Sequence, residues 1–194
     1  TVHAVFSGHI MHTGTHMFDL LLYFLGSPLW VRSRIEKFRP SDSGVSGYKY
    51  INDEYFDDPS ATAQLRFPGE VDVFISGLEK HYFIFEMDII GSRGRIRLGN
   101  FMKELWLSRQ SPHYKDFREL VRAPFPETPG SKNAWLRAVE DIINQINGCP
   151  GVGSTGEEAC RSMEMAFGIM LSSLKNGSRI SFPLEERDIK IISK

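Results

Sequence analysis

Apolar and polar residues alternate along much of the N-terminal two-thirds of the chain, and this pattern predicts β-strands. The alternation is clearest over residues 61–67 and 71–75, with Pro68-Gly69 between them. A period of two buries one face of a strand, and Pro and Gly supply turn dihedrals, so this segment predicts a β-hairpin. Further strands are predicted over residues 2–6, 30–38, 82–90, 95–98, 105–107, 117–121 and 179–182. Short turns between successive strands favour a mostly antiparallel sheet.

Three segments instead carry apolar residues at helical spacing. The first runs from Thr15 to a stop at Gly26, and Thr15 is predicted to accept hydrogen bonds from the N–H groups of its first turn. Residues 135–146 form the second, with Ser131 as a candidate cap, and the third follows a Thr155-x-x-Glu158 capping box. The last two helices are expected to cover one face of the sheet, which makes the fold class α+β. Residues 40–55 have no sustained period and are predicted to form a loop.

The length of 194 residues predicts one domain, residues 1–194. With 23 basic and 24 acidic residues, the chain has no electrostatic signature of nucleic-acid or membrane-surface binding. No apolar stretch reaches the roughly 20 residues of a membrane span, and no signal peptide opens the chain, so a cytoplasmic location is expected. Cys149 and Cys160 follow neither a disulfide nor a metal-ligand spacing and are predicted to be free thiols. Because strand-like residues begin at Val2, the chain is expected to be a fragment.

Candidate chemistry concentrates where the first helix begins. His12, His16 and Asp19 all lie within eight residues there. A helix N-terminus disfavours the imidazolium, so His16 is expected to stay neutral near pH 7, which is the form a general base needs. The alternative is that His16 is a packed or solvated residue and that Asp19 only complements the helix dipole.

A metal site is a second alternative for the same segment. His9, His12 and His16 are spaced three and four apart, and Asp19 could be a fourth ligand. Gly8 and Gly14 weaken the continuous helix that this geometry needs. No metal site is therefore predicted.

The pattern Gly14-Thr15-His16-x-x-Asp19, followed by an apolar helix that ends at Gly26, resembles a motif of the Gfo/Idh/MocA family of NAD(P)-dependent oxidoreductases. The order of the later segments, residues 89–96, 155–159 and 183–184, extends the resemblance to nearly the whole chain. It implies the family's C-terminal domain: a large, mostly antiparallel open β-sheet with helices packed on one face. It also implies that His16 is the acid/base residue at a sugar hydroxyl, with His12 and Asp19 beside the substrate. His12 stands where the family motif has aspartate.

The resemblance further implies a function for the whole protein. The chain would be the substrate-binding and oligomerisation domain of a dehydrogenase that acts on a sugar, cyclitol or related polyol. NAD or NADP would bind mainly outside this chain, because no Gly-x-Gly-x-x-Gly turn between a strand and a helix occurs in it and a separate N-terminal domain would supply that turn. The open face of the sheet implies a homo-oligomer. The alternative is a non-catalytic binding or oligomerisation module that keeps the fold, with His12 as the sign of lost catalysis.

Overall fold

The computed structural model describes residues 1–35, 47–49, 55–56, 58–78, 82–126, 133–149, 155–186 and 190–192. The helices are α1 (Thr15–Leu25), α2 (Ala134–Ile146) and α3 (Gly156–Leu174), and a π turn (Ile10–Gly14) runs directly into α1. The first six strands are β1 (Val2–Ser7), β2 (Trp30–Ile35), β3 (Gly47–Lys49), β4 (Tyr55–Phe56), β5 (Ala61–Phe67) and β6 (Val71–Leu78). The remaining strands are β7 (Phe85–Gly91), β8 (Gly94–Gly99), β9 (Met102–Gln110), β10 (Arg118–Ala123), β11 (Ile180–Ser181) and β12 (Lys190–Ile192).

Nine strands form one open sheet in the order β10-β9-β8-β7-β1-β6-β5-β2-β11. β1 pairs in parallel with β6, and every other neighbouring pair is antiparallel. This topology confirms the predicted α+β class and the mostly antiparallel sheet. β3, β4 and β12 form a separate small sheet.

The small sheet corrects one prediction. Residues 47–49 and 55 lie in strands, although the sequence predicted a loop over residues 40–55, and the other residues of that range lie outside the described part of the chain. β3 has three residues and β4 has two, so neither is long enough to show an alternating pattern. The predicted strand end at residues 36–38 also lies outside the described residues.

The hydrophobic core lies between the sheet and the pair α1 and α3. Alternate residues of β1, β5 and β6 point into it, and α1 and α3 pack against each other above them. The largest fully buried side chains are Phe6, Ile10, Met17, Phe18, Leu21, Leu65, Phe67, Met87, Met165, Ile169, Met170 and Leu171. Buried serines join α3 to β2: the N–H of Ser33 donates to Ser172 Oγ at 2.9 Å, and the Ser33 hydroxyl donates to the Ile169 carbonyl.

α2 does not cover the sheet, which corrects the prediction that both C-terminal helices would do so. Its apolar stripe is exposed in the described structure, with Trp135 81% and Ile146 78% accessible. The stripe has helical spacing, so the sequence predicted the helix itself correctly, but amphipathicity does not say which surface an apolar face meets. α1 takes the covering position beside α3 instead.

Of the caps predicted for the two C-terminal helices, the structure confirms the one of α3. Thr155 Oγ1 accepts from the N–H of Glu158 at 3.2 Å, and the Glu158 carboxylate accepts from the N–H of Thr155 at 2.8 Å, so the predicted capping box is confirmed. α2 is capped by Asn133, whose side-chain oxygen accepts from the N–H of Trp135 at 3.0 Å. Ser131, the predicted cap, lies outside the described residues.

The sheet face away from the helices is polar. Arg97 pairs with Glu86 at 2.6 Å, Arg95 pairs with Asp88 at 2.5 Å, and the Arg95 guanidinium also lies 5.4 Å from the Trp106 ring centroid. Each ion pair joins diagonal neighbours on β7 and β8, and Arg95 lies directly opposite Trp106 on β9. Cross-strand pairs of opposite charge stabilise a sheet face that meets water.

Candidate functional site

The candidate histidines lie on the segment that connects β1 to α1. Gly8 follows β1 with φ +101°, a backbone conformation that favours glycine, and a Cβ at this position would lie 2.6 Å from Thr13 Oγ1. The chain then enters the π turn Ile10–Gly14, which carries His12, and continues without interruption into α1. π turns are often found at functional sites in proteins.

The helical segment begins earlier than the sequence predicted. Gly14, directly before α1, has helical dihedrals (φ −61°, ψ −39°), whereas His9 is extended (φ −111°, ψ 161°), so the first helical residue is Ile10. The prediction that Thr15 caps the helix by accepting hydrogen bonds is therefore wrong. The Thr15 hydroxyl instead donates to the carbonyls of His12 at 2.9 Å and Met11 at 3.2 Å, because a full helical turn precedes it.

The early start changes the electrostatic argument for His16. The effect of the helix dipole falls off within the first turn, and that turn begins at Ile10. His16 and Asp19 therefore lie beyond the reach of the dipole that was assumed from the sequence, and the dipole argument for His16 no longer applies. His16 is nevertheless exposed on α1, so its imidazole is accessible to a substrate.

His12 occupies the position near the helix start that the sequence assigned to His16. It is the third helical residue, it is exposed, and its Nδ1 lies 3.3 Å from Thr13 Oγ1. His12 and His16 are four residues apart on one continuous helical segment, a spacing that brings side chains to the same side of a helix. Asp19 follows one turn later and is half-buried.

Residues 58–60, just before β5, also contact the segment that carries the histidines. The sequence did not predict this contact. The N–H of Met11 donates to the Asp58 carboxylate at 3.0 Å, and the N–H of His12 donates to it at 3.1 Å. Next to these bonds, the N–H of Ile10 donates to the Pro59 carbonyl at 2.9 Å, and the Ser60 hydroxyl donates to the Gly8 carbonyl at 2.9 Å. Asp58 therefore does for this helix what an N-cap side chain usually does from the preceding residue.

The local sequence carries no signal for this cap. Asp58 is 47 residues from Met11, and N-cap patterns are defined by neighbours in sequence. Burial raises the pKa of the Asp58 carboxyl above 3.8, while the N–H donors of Met11 and His12 and the nearby imidazoles of His9 and His12 act in the opposite direction.

The π turn rests on a tightly packed base. The rings of Phe6 and Phe18 meet edge to face with centroids 6.2 Å apart, and a Cβ on Gly14 would lie 3.1 Å from one ring and 3.2 Å from the other. From α3, the hydroxyl of buried Ser162 donates to the Thr15 carbonyl at 2.8 Å. Packing from below and hydrogen bonds from the side thus fix the backbone that carries His12 and His16.

The side chains of His12, His16 and Asp19 are of the types that transfer protons in enzymes. Within the described residues, no group of three or more His, Cys, Asp or Glu side chains could hold a metal ion, so His9, His12, His16 and Asp19 do not form the alternative metal site. An exposed imidazole close to a second one fits the proton-transfer half of a hydride-transfer reaction.

In the part of the chain that the structure describes, no helix has both the length and the apolar character needed to cross a membrane.

Comparisons with known proteins identify the class of this fold. A model of the C-terminal alpha/beta domain of an oxidoreductase family matches residues 3–181. The molecule is therefore an oxidoreductase-type α+β domain. The chain belongs to the Gfo/Idh/MocA oxidoreductase family and corresponds to that family's C-terminal domain.

Solved structures agree with the assignment of the fold. A levoglucosan dehydrogenase in complex with NADH and L-sorbose superposes with a TM-score of 0.65 at 15% identity, covering 94% of this chain and 58% of that one. The WlbA dehydrogenase from Bordetella pertussis, in complex with NADH and UDP-GlcNAcA, gives 0.63 at 15% identity, with 95% and 54% coverage. A UDP-N-acetylglucosamine 3-dehydrogenase from Acidithiobacillus ferrooxidans gives 0.57 at 14% identity, with 88% and 53% coverage.

These likenesses show the fold alone, because the identities are so low. The chain also spans little more than half the length of these structures, 58% of the first and 53% of the last. The comparison with curated protein sequences found no match.

Proposed function

We propose that this chain is the substrate-binding and catalytic domain of an NAD(P)-dependent dehydrogenase that acts on a sugar, cyclitol or related polyol. The observation that carries the proposal is the exposed His16 on α1, one turn after His12, in a chain of an oxidoreductase family. Two of the similar structures named above, the levoglucosan dehydrogenase and the WlbA dehydrogenase, were solved with NADH and a sugar-type ligand, which supports this substrate class.

His16 acts as the general base in the proposed reaction. It accepts the proton of the substrate hydroxyl while the carbon that bears this hydroxyl loses hydride, and the hydroxyl carbon becomes a carbonyl carbon. A nicotinamide cofactor, NAD or NADP, would supply the acceptor for this hydride, and a separate N-terminal domain would hold most of it. His12 and Asp19 bind or orient the substrate and His16. In the reverse direction His16 returns the proton.

The test is an activity assay on the full-length protein that contains this chain. The protein is incubated with NAD or NADP and a panel of sugars, cyclitols and other polyols, and the absorbance of the reduced nicotinamide is followed. We expect substrate-dependent reduction of the cofactor with at least one polyol. Cofactor binding without turnover of any polyol, in either direction, would contradict the proposal and favour a non-catalytic module.

A homo-oligomer formed through the open sheet face belongs to the same proposal. The face combines arginines with exposed or half-buried aromatic rings, including Phe74 and Trp106, and interfaces are enriched in both residue types. His3 stacks on Phe74 with ring centroids 5.4 Å apart, which gives the face a flat aromatic patch beside its ion pairs.

Sedimentation of the full-length protein tests this assembly. We expect a dimer or larger oligomer, and we expect Phe74→Lys to shift the distribution toward monomer, because it places a charge in the aromatic patch. Tyr23→Lys is the matched control, since Tyr23 is 78% exposed on α1, on the helix-covered side of the sheet. A monomeric wild-type protein, or equal effects of both substitutions, would rule out this interface.

A cytoplasmic location is proposed as well. Cys149 and Cys160 are both free and exposed, and exposed free thiols persist in a reducing compartment.

A further inference from the structure

We infer that Asp58 is a positioning residue for the candidate catalytic segment, holding the π turn that carries His12 and leads into the helix of His16. This inference rests on the proposed function only for its consequence on turnover. Its structural content, that one distant carboxylate fixes the start of this helix, rests on the contacts of Asp58.

The first argument is hydrogen bonding. The first N–H groups of a helix have no partner within the helix, and the structure gives three of them acceptors from residues 58 and 59. The Asp58 carboxylate accepts hydrogen bonds from the N–H groups of Met11 and His12 through both of its oxygens. His9, at the N-cap position, makes no capping hydrogen bond with its own side chain. The segment thus depends on a distant residue for a contact that most helices obtain locally.

The second argument is location. Asp58 is hydrogen-bonded to the backbone of His12 itself, which lies four residues before His16. The helical segment runs without interruption from this cap to both histidines. A helical segment behaves as one body over such a length, so a change in the start of the segment also moves the imidazoles. Misplacement of a catalytic group by about 1 Å can reduce a rate by roughly 100-fold.

The third argument is charge. Asp58 is half-buried, and within the described residues the titratable groups that act on it are His9 and His12. The N–H donors and the two imidazoles favour the carboxylate form of Asp58, whereas burial, the largest effect, favours the protonated form and raises its pKa.

The decisive variants are Asp58→Asn and Asp58→Ala. Asparagine keeps an acceptor oxygen near the N–H groups of Met11 and His12 and removes the charge, whereas alanine removes both. Ser60→Ala is the matched control, because it deletes the neighbouring bond to the Gly8 carbonyl without touching those N–H groups. Global unfolding of each variant is measured in parallel, so that loss of fold is separated from loss of position.

Amide hydrogen exchange and the ring resonances of His12 and His16 report position without any substrate. In Asp58→Ala we expect exchange at Met11 and His12 to accelerate roughly five- to tenfold, the size of a lost cap, with shifted ring resonances. Asp58→Asn should stay within about twofold at these amides, since the amide oxygen can still accept. Ser60→Ala should match the wild type there. Unchanged exchange and unchanged resonances in Asp58→Ala would overturn the inference.

The pH dependence of stability gives a signature specific to the carboxyl. Burial raises the pKa of Asp58 in the folded chain above 3.8, so the folded state holds this proton more tightly than the unfolded state. The contribution of Asp58 to the free energy of unfolding is therefore fully present below about pH 3.8 and decreases as the pH rises through the raised pKa. Asp58→Asn should lack this decrease. Parallel pH profiles of the wild type and Asp58→Asn would contradict the described environment of Asp58.

The turnover of Asp58 variants tests whether the position of His12 and His16 affects catalysis. In the full-length protein we expect Asp58→Ala to lower kcat roughly tenfold or more with a smaller change in KM, and Asp58→Asn to recover most of the loss. Faster exchange at Met11 and His12 with unchanged kcat, in a protein whose turnover needs His16, would reduce Asp58 to a structural cap and overturn its positioning role. If no polyol is turned over, the proposed function fails, and the exchange and resonance measurements still decide whether Asp58 holds the segment.

Discussion

Replacing His16 by alanine is expected to lower kcat of the full-length protein by about two or more orders of magnitude. General acid–base catalysis by one side chain typically contributes 10²–10⁴-fold, and His16 is the exposed imidazole on α1 that the proposed mechanism uses as its base. Steady-state oxidation of the best polyol, followed through the reduced nicotinamide, measures the loss. KM should change less than kcat, because the group acts on the reacting hydroxyl.

Two controls separate chemistry from folding in this experiment. The substitution lies on an exposed position, so the free energy of unfolding should stay within about 0.5 kcal/mol of the wild type. His113→Ala removes another exposed imidazole, in the turn between β9 and β10, and should leave kcat unchanged. Wild-type turnover in the His16 variant would refute its role as the base, whatever the substrate.

Replacing Phe18 by alanine is expected to destabilise the chain by about 3–5 kcal/mol, the usual cost of deleting a buried aromatic ring. Phe18 is fully buried, and its ring meets that of Phe6 edge to face directly below Gly14. The cavity would open under the π turn, so the loss is expected to include order in the segment that carries His12. Urea denaturation followed by circular dichroism measures the change.

Phe24→Ala provides the matched control on the same helix. Phe24 is 44% exposed and contacts Tyr23, so its deletion should cost about 1 kcal/mol or less. Equal losses from Phe18→Ala and Phe24→Ala would show that the base of the π turn is not packed as the structure describes. A small loss in both would lead to the same conclusion.

The alternating pattern of the sequence predicted the strands of the sheet wherever one face of the strand is buried and the other is polar. β5 and β6 follow this rule, with Ala63, Leu65 and Val73 inside and Gln64 outside or at the margin. The predicted hairpin between them is confirmed, with a turn that spans Pro68–Glu70 rather than Pro68-Gly69 alone. The sequence predicted the capping box of α3 for a similar reason, because its partners Thr155 and Glu158 are three residues apart. In both cases the physical cause acts between near neighbours, so the sequence contains the whole pattern.

Predictions were wrong where the deciding partner is distant or where the element is very short. The helix start was placed at Thr15 because a threonine before an apolar run is a common cap, but Asp58 caps the segment from across the fold and lets it begin at Ile10. α2 was expected to cover the sheet because it is amphipathic, yet its stripe is exposed and α1 lies beside α3 instead. β3 and β4 are too short to show a period.

The sequence by itself determined the three helices, the longer strands, the α+β class and the family motif around His16, since local periodicity and residue spacing carry that information. Only the tertiary structure decided which helices cover the sheet, and which carboxylate meets the N–H groups of Met11 and His12. The reason is that burial and hydrogen bonding join groups by distance in space. Asp58 and Met11 are 47 residues apart along the chain and 3.0 Å apart in the fold.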